Sequence, residues 1–369
     1  MANIRDYIAW RGDLTFKQAP FCDVDNLIIS ELAYVDLKGI VPSAASGENI
    51  SLKDAARLFF EIHTMKELEE SLSFVKEAPF MFKEMAECNR FAEVQLCNYV
   101  DVTDEKTQMQ FAAFHVKLGD GTVYVVYRGT DDSLIGWKED FNMSFISPVP
   151  SQLAAVEFLN NTVRVGSGKI RVGGHSKGGN LAIYASVHCS ARVKKKIIEV
   201  YNNDGPGFDK SIIISEAYQN MLPRIKTIVP YHSVVGMLLE HEEDYMVVAS
   251  SQKGFMQHDP MSWEVIGCAF VAADSVSRAS KVLSDVVSNW IAGLDKKKRE
   301  EFVEALFAII NASGAKTLTD LRMDILNSAG AALKLYATMD KESRKMIANV
   351  LQMFTGEFDK VLKLNQTGD

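Results

Sequence analysis

Residues 173–179 read Gly-Gly-His-Ser-Lys-Gly-Gly and follow directly on the apolar run Lys169-Ile170-Arg171-Val172. Within them Gly174-His175-Ser176-Lys177-Gly178 forms a G-x-S-x-G pattern, and Asn180-Leu181-Ala182-Ile183-Tyr184-Ala185-Ser186-Val187 continues with helical character. A serine on a sharp strand-to-helix turn is thrust out of the fold at the head of the helix. Small residues two before and two after it let the backbone turn without a Cβ clash. The pattern thus demands strand, elbow and helix in succession, with Ser176 presented as a nucleophile. The alternative is a glycine-rich turn around a buried serine.

The flanking sequence predicts a sheet for the elbow to sit on. Phe91–Val100, Gln108–Lys117 and Thr122–Tyr127 are apolar and β-branched, and Leu118-Gly119-Asp120-Gly121 makes a hairpin turn between the last two. A helix is expected at about 151–164, a strand over Lys196–Tyr201, a helix over Ile212–Met221, and strands over Ile225–Pro230 and Tyr245–Ser250. Helix and strand alternate from about 108 to 265, which indicates a mostly parallel sheet with helices on both faces. Upstream, Gly12–Phe16 reads as a short extended segment and Arg11-Gly12-Asp13 as a turn. Leu27, Ile28, Leu32 and Val35 recur at helical spacing, Ser51 is an N-cap for a helix to about His63, and two short helices follow at about 65–74 and 77–88. Lys194-Lys195-Lys196 reads as a solvated basic run.

Beyond residue 270 the strand pattern ends. Segments near 275–292, 296–312, 317–336 and 340–363 carry helical periodicity, with Asp295 and Asp340 as N-caps and Gly293 and Gly314 as stops. The expected organisation is therefore an α/β domain over 1–270 and an all-helical appendage over 271–369. The appendage offers a lid, a docking surface or a homo-oligomer contact, or simply packs on the body. The apolar stretch Phe302–Ile310 suggests membrane-surface contact as a weaker reading than burial against other helices.

Composition bounds the function. Hydrophobic residues at 47% and charged residues at 24% are ordinary for a globular chain, so a large core is available. A net charge of −8 without a basic stripe argues against nucleic acid. The five cysteines, at 22, 88, 97, 189 and 268, are odd in number and lack C-x-x-C spacing, which argues against a disulfide framework or a zinc site and for a reducing compartment. Met1–Tyr7 has no signal-peptide pattern, and no apolar run approaches the ~18 residues of a membrane span. The expected location is cytoplasmic.

A serine hydroxyl needs a base, and the base needs an orienting acid. In the α/β-hydrolase fold that the elbow implies, the acid and then the base follow the serine in the chain. His188, His232, His241 and His258 qualify by order. His188 lies about three turns along the elbow helix, too far away. His241 sits among acidic residues in what reads as a solvated loop. His232 follows the strand 225–230, where this fold usually carries the acid. His258 follows the last strand, where the base usually sits, and is preferred. For the acid, Asp204 in Tyr201-Asn202-Asn203-Asp204-Gly205-Pro206-Gly207 lies at a strand end where ligand chemistry gathers. Capping of that turn is its alternative role, and Asp244 and Asp259 are weaker candidates. The oxyanion donors expected are the N–H of Lys177 at the helix head and that of Thr130, after the strand ending Tyr127-Arg128-Gly129, with the Thr130 hydroxyl as an additional donor.

These motifs resemble the class 3, fungal-type lipases. That family has a strand ending F-R-G-T, a D/W-rich stretch and then G-H-S-L-G-G-A. Here the counterparts are Tyr127-Arg128-Gly129-Thr130, Gly136-Trp137-Lys138-Glu139-Asp140 and Gly174–Asn180. The likeness spans about residues 25–265, and G-H-S-K-G-G-N with Y-N-N-D-G-P-G-F resembles a bacterial branch catalogued as a domain of unknown function. It implies a hydrolase scaffold without a substrate. Two departures stand out. The family's usual acid position reads Val229-Pro230-Tyr231-His232-Ser233-Val234, with no carboxylate, and the family's leucine after the nucleophile is Lys177, whose ammonium finds no role in the sequence. The expected function is a serine hydrolase of an ester or thioester, lipids included, needing no cofactor. A degenerate hydrolase fold serving binding or regulation is the alternative.

Overall fold

The computed structural model describes residues 1–71, 73, 75–312 and 340–354. Its centre is an eight-stranded sheet whose strands lie side by side in chain order: β1 (Ile50–Ser51), β2 (Gln95–Asp104), β3 (Met109–Lys117), β4 (Val123–Tyr127), β5 (Ile170–His175), β6 (Ile197–Asn203), β7 (Ile225–Pro230) and β8 (Tyr245–Val248). β1 to β4 pair antiparallel, and β4 to β8 pair parallel. A two-stranded ribbon, β9 (Val265–Ile266) and β10 (Ala269–Phe270), follows.

Sequential order has a consequence for the faces. Right-handed crossovers that all step in one direction deposit their helices on one face. That face carries α7 (Pro150–Thr162), α8 (Lys177–His188), α9 (Ala191–Lys194), α10 (Lys210–Ile213) and α11 (Glu216–Met221). The other face is covered from upstream by α1 (Ile4–Arg11), α2 (Asp23–Leu32), α3 (Leu52–Ile62) and α5 (Ala78–Ala86), with α4 (Met65–Glu70) outside them. β4 divides the two cores by strand alternation: Tyr124 and Val126 enter the first, Val125 and Tyr127 the second.

Most expected elements are present, and the differences have local causes. Residues 4–11 form α1 where no helix was expected, because Asn3 and Asp6 make a reciprocal capping box; Gly12–Phe16 is a series of turns, not extended chain. The apolar Phe91 and Val94 lie before β2, packed in the helical core, so that strand begins four residues late and runs on to Asp104. The helix expected over Ile212–Met221 is two, because Ser215 caps a new start by accepting from Tyr218 N. α6 (Leu134–Asn142), capped by Ser133, was not foreseen, since Gly136 lowers its helical signal. Lys196 is not freely solvated: its ammonium bonds the Val165 carbonyl at 2.8 Å.

Downstream, α12 (Arg278–Ala292), α13 (Lys296–Ala312) and α14 (Lys341–Phe354) fall where helices were expected, and Asp295 and Asp340 accept from Lys298 N and Ser343 N at 2.9 and 2.8 Å. The helix expected over 317–336, the stop at Gly314 and the end of the last helix lie outside the described residues. Phe302, Leu306 and Phe307 of α13 and Ile347 of α14 are buried in one cluster with Leu134, Trp137 and Phe141 of α6, and Lys138 pairs with Glu304 at 2.8 Å. Among the described residues, no helix is long and apolar enough to cross a membrane.

The N-terminal layer is tied by one buried ion pair. The Arg90 guanidinium donates to both Asp25 oxygens, at 2.7 and 2.6 Å, and to the carbonyls of Leu14, Ala19 and Pro20. All five of its N–H donors are thereby used. Arg90→Met leaves Asp25 as an unpaired buried charge, at an expected cost of about 3–5 kcal/mol. Urea unfolding checks this; a loss below about 1 kcal/mol, the scale of an exposed pair, would contradict it.

Candidate active site

The strand β5 delivers the chain to Ser176, whose φ of 56° and ψ of −132° lie outside the helical and extended regions. Such a backbone costs about 1–3 kcal/mol and persists only where its surroundings hold it. Here Ser176 N donates to Asn203 O at 2.9 Å, and Ser176 O accepts from Gly179 N at 2.9 Å. Gly178 must lack a side chain, because a Cβ there would run into the Tyr127 carbonyl. One strand over, Asp204 follows β6 with a φ of 52°, and its N–H donates to Ile228 O at 2.8 Å. Serine and aspartate thus leave neighbouring parallel strands through equivalent positive-φ turns.

His258 joins them. Its Nδ1 lies 2.6 Å from Asp204 Oδ2, and its Nε2 lies 3.0 Å from Ser176 Oγ. With Nδ1–H donating to the carboxyl oxygen, Nε2 is left to accept the serine proton. Asp204 is fully buried, and its other oxygen accepts from Ser233 Oγ at 2.5 Å and Gly236 N at 3.2 Å. Ser233 occupies the segment where the sequence lacked the usual carboxylate, and it donates to Asp204. The turn around Asp204 is fixed by Asn202, which accepts from Gly205 N at 2.9 Å, and by Asn180 of α8, which donates to the carbonyls of Pro206 and Gly207.

His258 ends a 3₁₀ turn, Gly254–His258, that is gripped from below. His175 Nε2–H donates to the His258 carbonyl at 2.9 Å, and its ring lies 4.6 Å from the His258 ring. Burial holds His175 well below the usual imidazole range, so it is neutral. Its Nδ1 therefore accepts from Tyr34 OH at 2.9 Å. Glu31 sits 3.7 Å from the same nitrogen, but burial raises its carboxyl well above the usual range, so the two are not an ion pair. The buried Trp263 donates to Gln257 O at 2.9 Å and fixes the other side of the turn.

The loop after β4 lies against the elbow, with Gly129 beside the Ser176 side chain. Lys177 opens α8, so its N–H has no partner within the helix. The Thr130 hydroxyl is committed elsewhere than expected: it donates to Asp140 Oδ2 at 2.6 Å. Burial raises Asp140 to about 6 against the opposing pull of Lys177. The Lys177 ammonium, 1% exposed, does not stand free beside Ser176: it lies 3.1 Å from Glu139 Oε2 and 3.2 Å from Gln110 O.

The other histidines lie elsewhere. His232 Nδ1 bonds Ser277 Oγ at 2.8 Å, and the His188 ring lies 4.3 Å from that of Tyr184, tilted to it, at the end of α8. His241 is not in a solvated loop: it pairs with the buried Glu243 at 3.2 Å. Burial pushes that carboxyl up, but bonds from His241, Tyr218 and Thr227 outweigh it and hold Glu243 at about 2. Asp244 is exposed, and Asp259 accepts from Met261 N at 2.9 Å as a turn cap. The supporting residues Tyr34, Asn203, Ser233 and Glu139 were not foreseen, since each lies far in sequence from what it touches. Among the described residues, no group of His, Cys, Asp or Glu is arranged to hold a metal ion.

A sheet of this order, with Ser176 on a strand-to-helix turn and the loop after β4 beside it, defines a lipase-like α/β-hydrolase fold. Within that class the chain belongs to the Mbeg1-like family, whose profile matches residues 85–308. Among solved structures it resembles a fungal lipase in an inhibitor complex at 16% identity, over 43% of this chain and 67% of the other, with a TM-score of 0.33. It also resembles the M37 lipase at 15% identity, over 57% and 68% of the two chains, with the same TM-score of 0.33. No curated protein matches the chain.

The neutral His175 carries a pH signature. Its folded pKa lies below the unfolded value of about 6.5, so acidification makes the unfolded chain bind the extra proton and stability falls as pH drops below ~6.5. In His175→Asn the slope of unfolding free energy against pH just below 6.5 is expected to be shallower by up to about 1.4 kcal/mol per unit, the contribution of one proton. Denaturant titrations at several pH values measure it; an unchanged slope would show that His175 does not titrate this way.

Proposed function

We propose that the protein is a serine hydrolase of carboxylic esters or thioesters, lipid esters included, working through an acyl-enzyme. The observation that carries this reading is the unbroken relay from Ser176 Oγ through His258 to Asp204, at 3.0 and 2.6 Å. Ser176 Oγ attacks the substrate carbonyl while His258 Nε2 takes its proton. The imidazolium so formed is stabilised by the buried Asp204 carboxylate, and its proton then passes to the leaving alcohol or thiol. Water, deprotonated by the same nitrogen, releases the acid from the serine. The N–H groups of Lys177 and Thr130 receive the negative charge on the carbonyl oxygen, helped by the helix dipole of α8.

Asp204 can serve as the acid although it comes one strand earlier than is usual. Ser233 and Gly236 saturate one oxygen and leave the other aimed at Nδ1. No metal or organic cofactor enters these steps.

A fluorophosphonate probe is expected to label the wild-type protein and to leave Ser176→Ala unlabelled, as read by intact mass. Asp204→Asn, which favours the wrong histidine tautomer, should cut the labelling rate by roughly 10⁴-fold. A wild-type protein that takes no label would overturn the reading.

A further inference from the structure

The buried ammonium of Lys177 asks for an explanation that stability does not supply. A buried ion pair is seldom more stabilising than apolar residues of the same volume. What such a pair does provide is direction. Its bonds fix two groups to within tenths of an ångström, which packing alone does not.

Here the groups it joins are the two halves of the proposed oxyanion site. Lys177 carries one donor N–H on its own backbone, and its side chain crosses to Glu139 Oε2 at 3.1 Å. Glu139 is fully buried and fixed in turn: Oε2 accepts from Gln110 N at 3.1 Å, and Oε1 from Ser151 N at 2.8 Å. The next residue, Asp140, accepts from Thr130 Oγ1 at 2.6 Å and lies 3.8 Å from the ammonium. Thr130 carries the other N–H. Helix α6 also approaches Thr130 closely, since a Cβ on Gly136 would meet Thr130 Cγ2 at 2.8 Å. From one donor to the other there thus runs a closed tie: Lys177 backbone, ammonium, Glu139, Asp140, Thr130 hydroxyl, Thr130 backbone.

We infer that Lys177 is a positioning residue, whose ammonium, through Glu139 and Asp140, sets the spacing between the Lys177 and Thr130 N–H groups. The inference rests on the serine-hydrolase reading above. Lys177 touches no reacting atom with its side chain; only its backbone does. A displacement of about 1 Å in such a site is enough to cost of order 10²-fold in rate.

The test compares the wild type with Lys177→Met/Glu139→Gln, which removes both charges together, with Thr130→Val, which cuts the other end of the tie while keeping the N–H, and with the triple variant. Thermal melts confirm folding, and fluorophosphonate labelling is resolved into its maximal rate and its half-saturating concentration. The charge-free pair and Thr130→Val should each lower the maximal rate at least tenfold with the half-saturating concentration within twofold. The triple variant should lose little more than either, because both cuts open one tie. A folded charge-free pair that labels at the wild-type maximal rate would overturn the inference, as would fully additive losses. Should that pair fail to fold, Thr130→Val decides: a wild-type rate there overturns the inference, and a tenfold loss supports it. A wild-type protein that takes no label overturns the hydrolase reading instead, so the two failures are distinct.

Discussion

Register between β5, β6 and β7 is the constraint on which the site depends. In a parallel ladder a residue just past one strand stands beside the residue just past the next. His175 is paired with Asn203, so Ser176 and Asp204 emerge abreast. A slip of one residue would turn every side chain of a strand to the opposite face. The register is held by a buried polar cluster as well as by the ladder. Asn203 Nδ2 donates to Gly174 O at 3.0 Å, Asn26 Nδ2 donates to Asn203 Oδ1 at 2.8 Å, and Tyr124 OH donates to Asn26 Oδ1 at 2.6 Å. Helix α2 thereby reads the positions of β4, β5 and β6 at once. Such groups are costly to bury unless satisfied, so a shifted register would leave several orphans.

The same economy governs the charges. Asp204, Glu139 and Lys177 are all withdrawn from water, and each is met by several specific partners. The buried His175 and Glu31, whose ionisation burial opposes, and the half-buried Tyr34 complete the set, and His175 underpins the His258 backbone. Layering of this kind lets the histidine ring sit partly exposed at 17% while its backbone is fixed.

Much of this arrangement was legible in the chain, because local rules govern it. A strand, a turn that needs small residues and a helix announce the elbow; β-branched runs announce β3, β4 and β7; Ser51 announces the start of α3. What could not be read depends on distance. The partner of Lys177 lies 38 residues away on a helix weakened by Gly136, and the group beneath His258 comes from Tyr34 through His175. The crossover side of the sheet was also hidden, since alternation of helix and strand says nothing of strand order. Capping at Asn3 and Ser215 was legible in principle, but short motifs of that kind are easily overshadowed by apolar runs.

The segment that carries His258 has one further anchor. Val265 N donates to Ala2 O at 2.9 Å and Trp10 Nε1 donates to Gly267 O at 3.1 Å, so the segment that follows His258 is pinned to the first helix of the chain. A ribosome therefore makes the two halves of this junction some 250 residues apart, roughly ten to fifty seconds at ordinary synthesis speeds. Until then α1 rests on α2 and α5 alone, with Arg5 paired to Glu84, and the sheet, even with every strand paired, has no His258 beside Ser176 and Asp204. The order of synthesis thus puts Ser176 and Asp204 into the chain well before His258, and the ribbon that pins the His258 segment to α1 comes after all three.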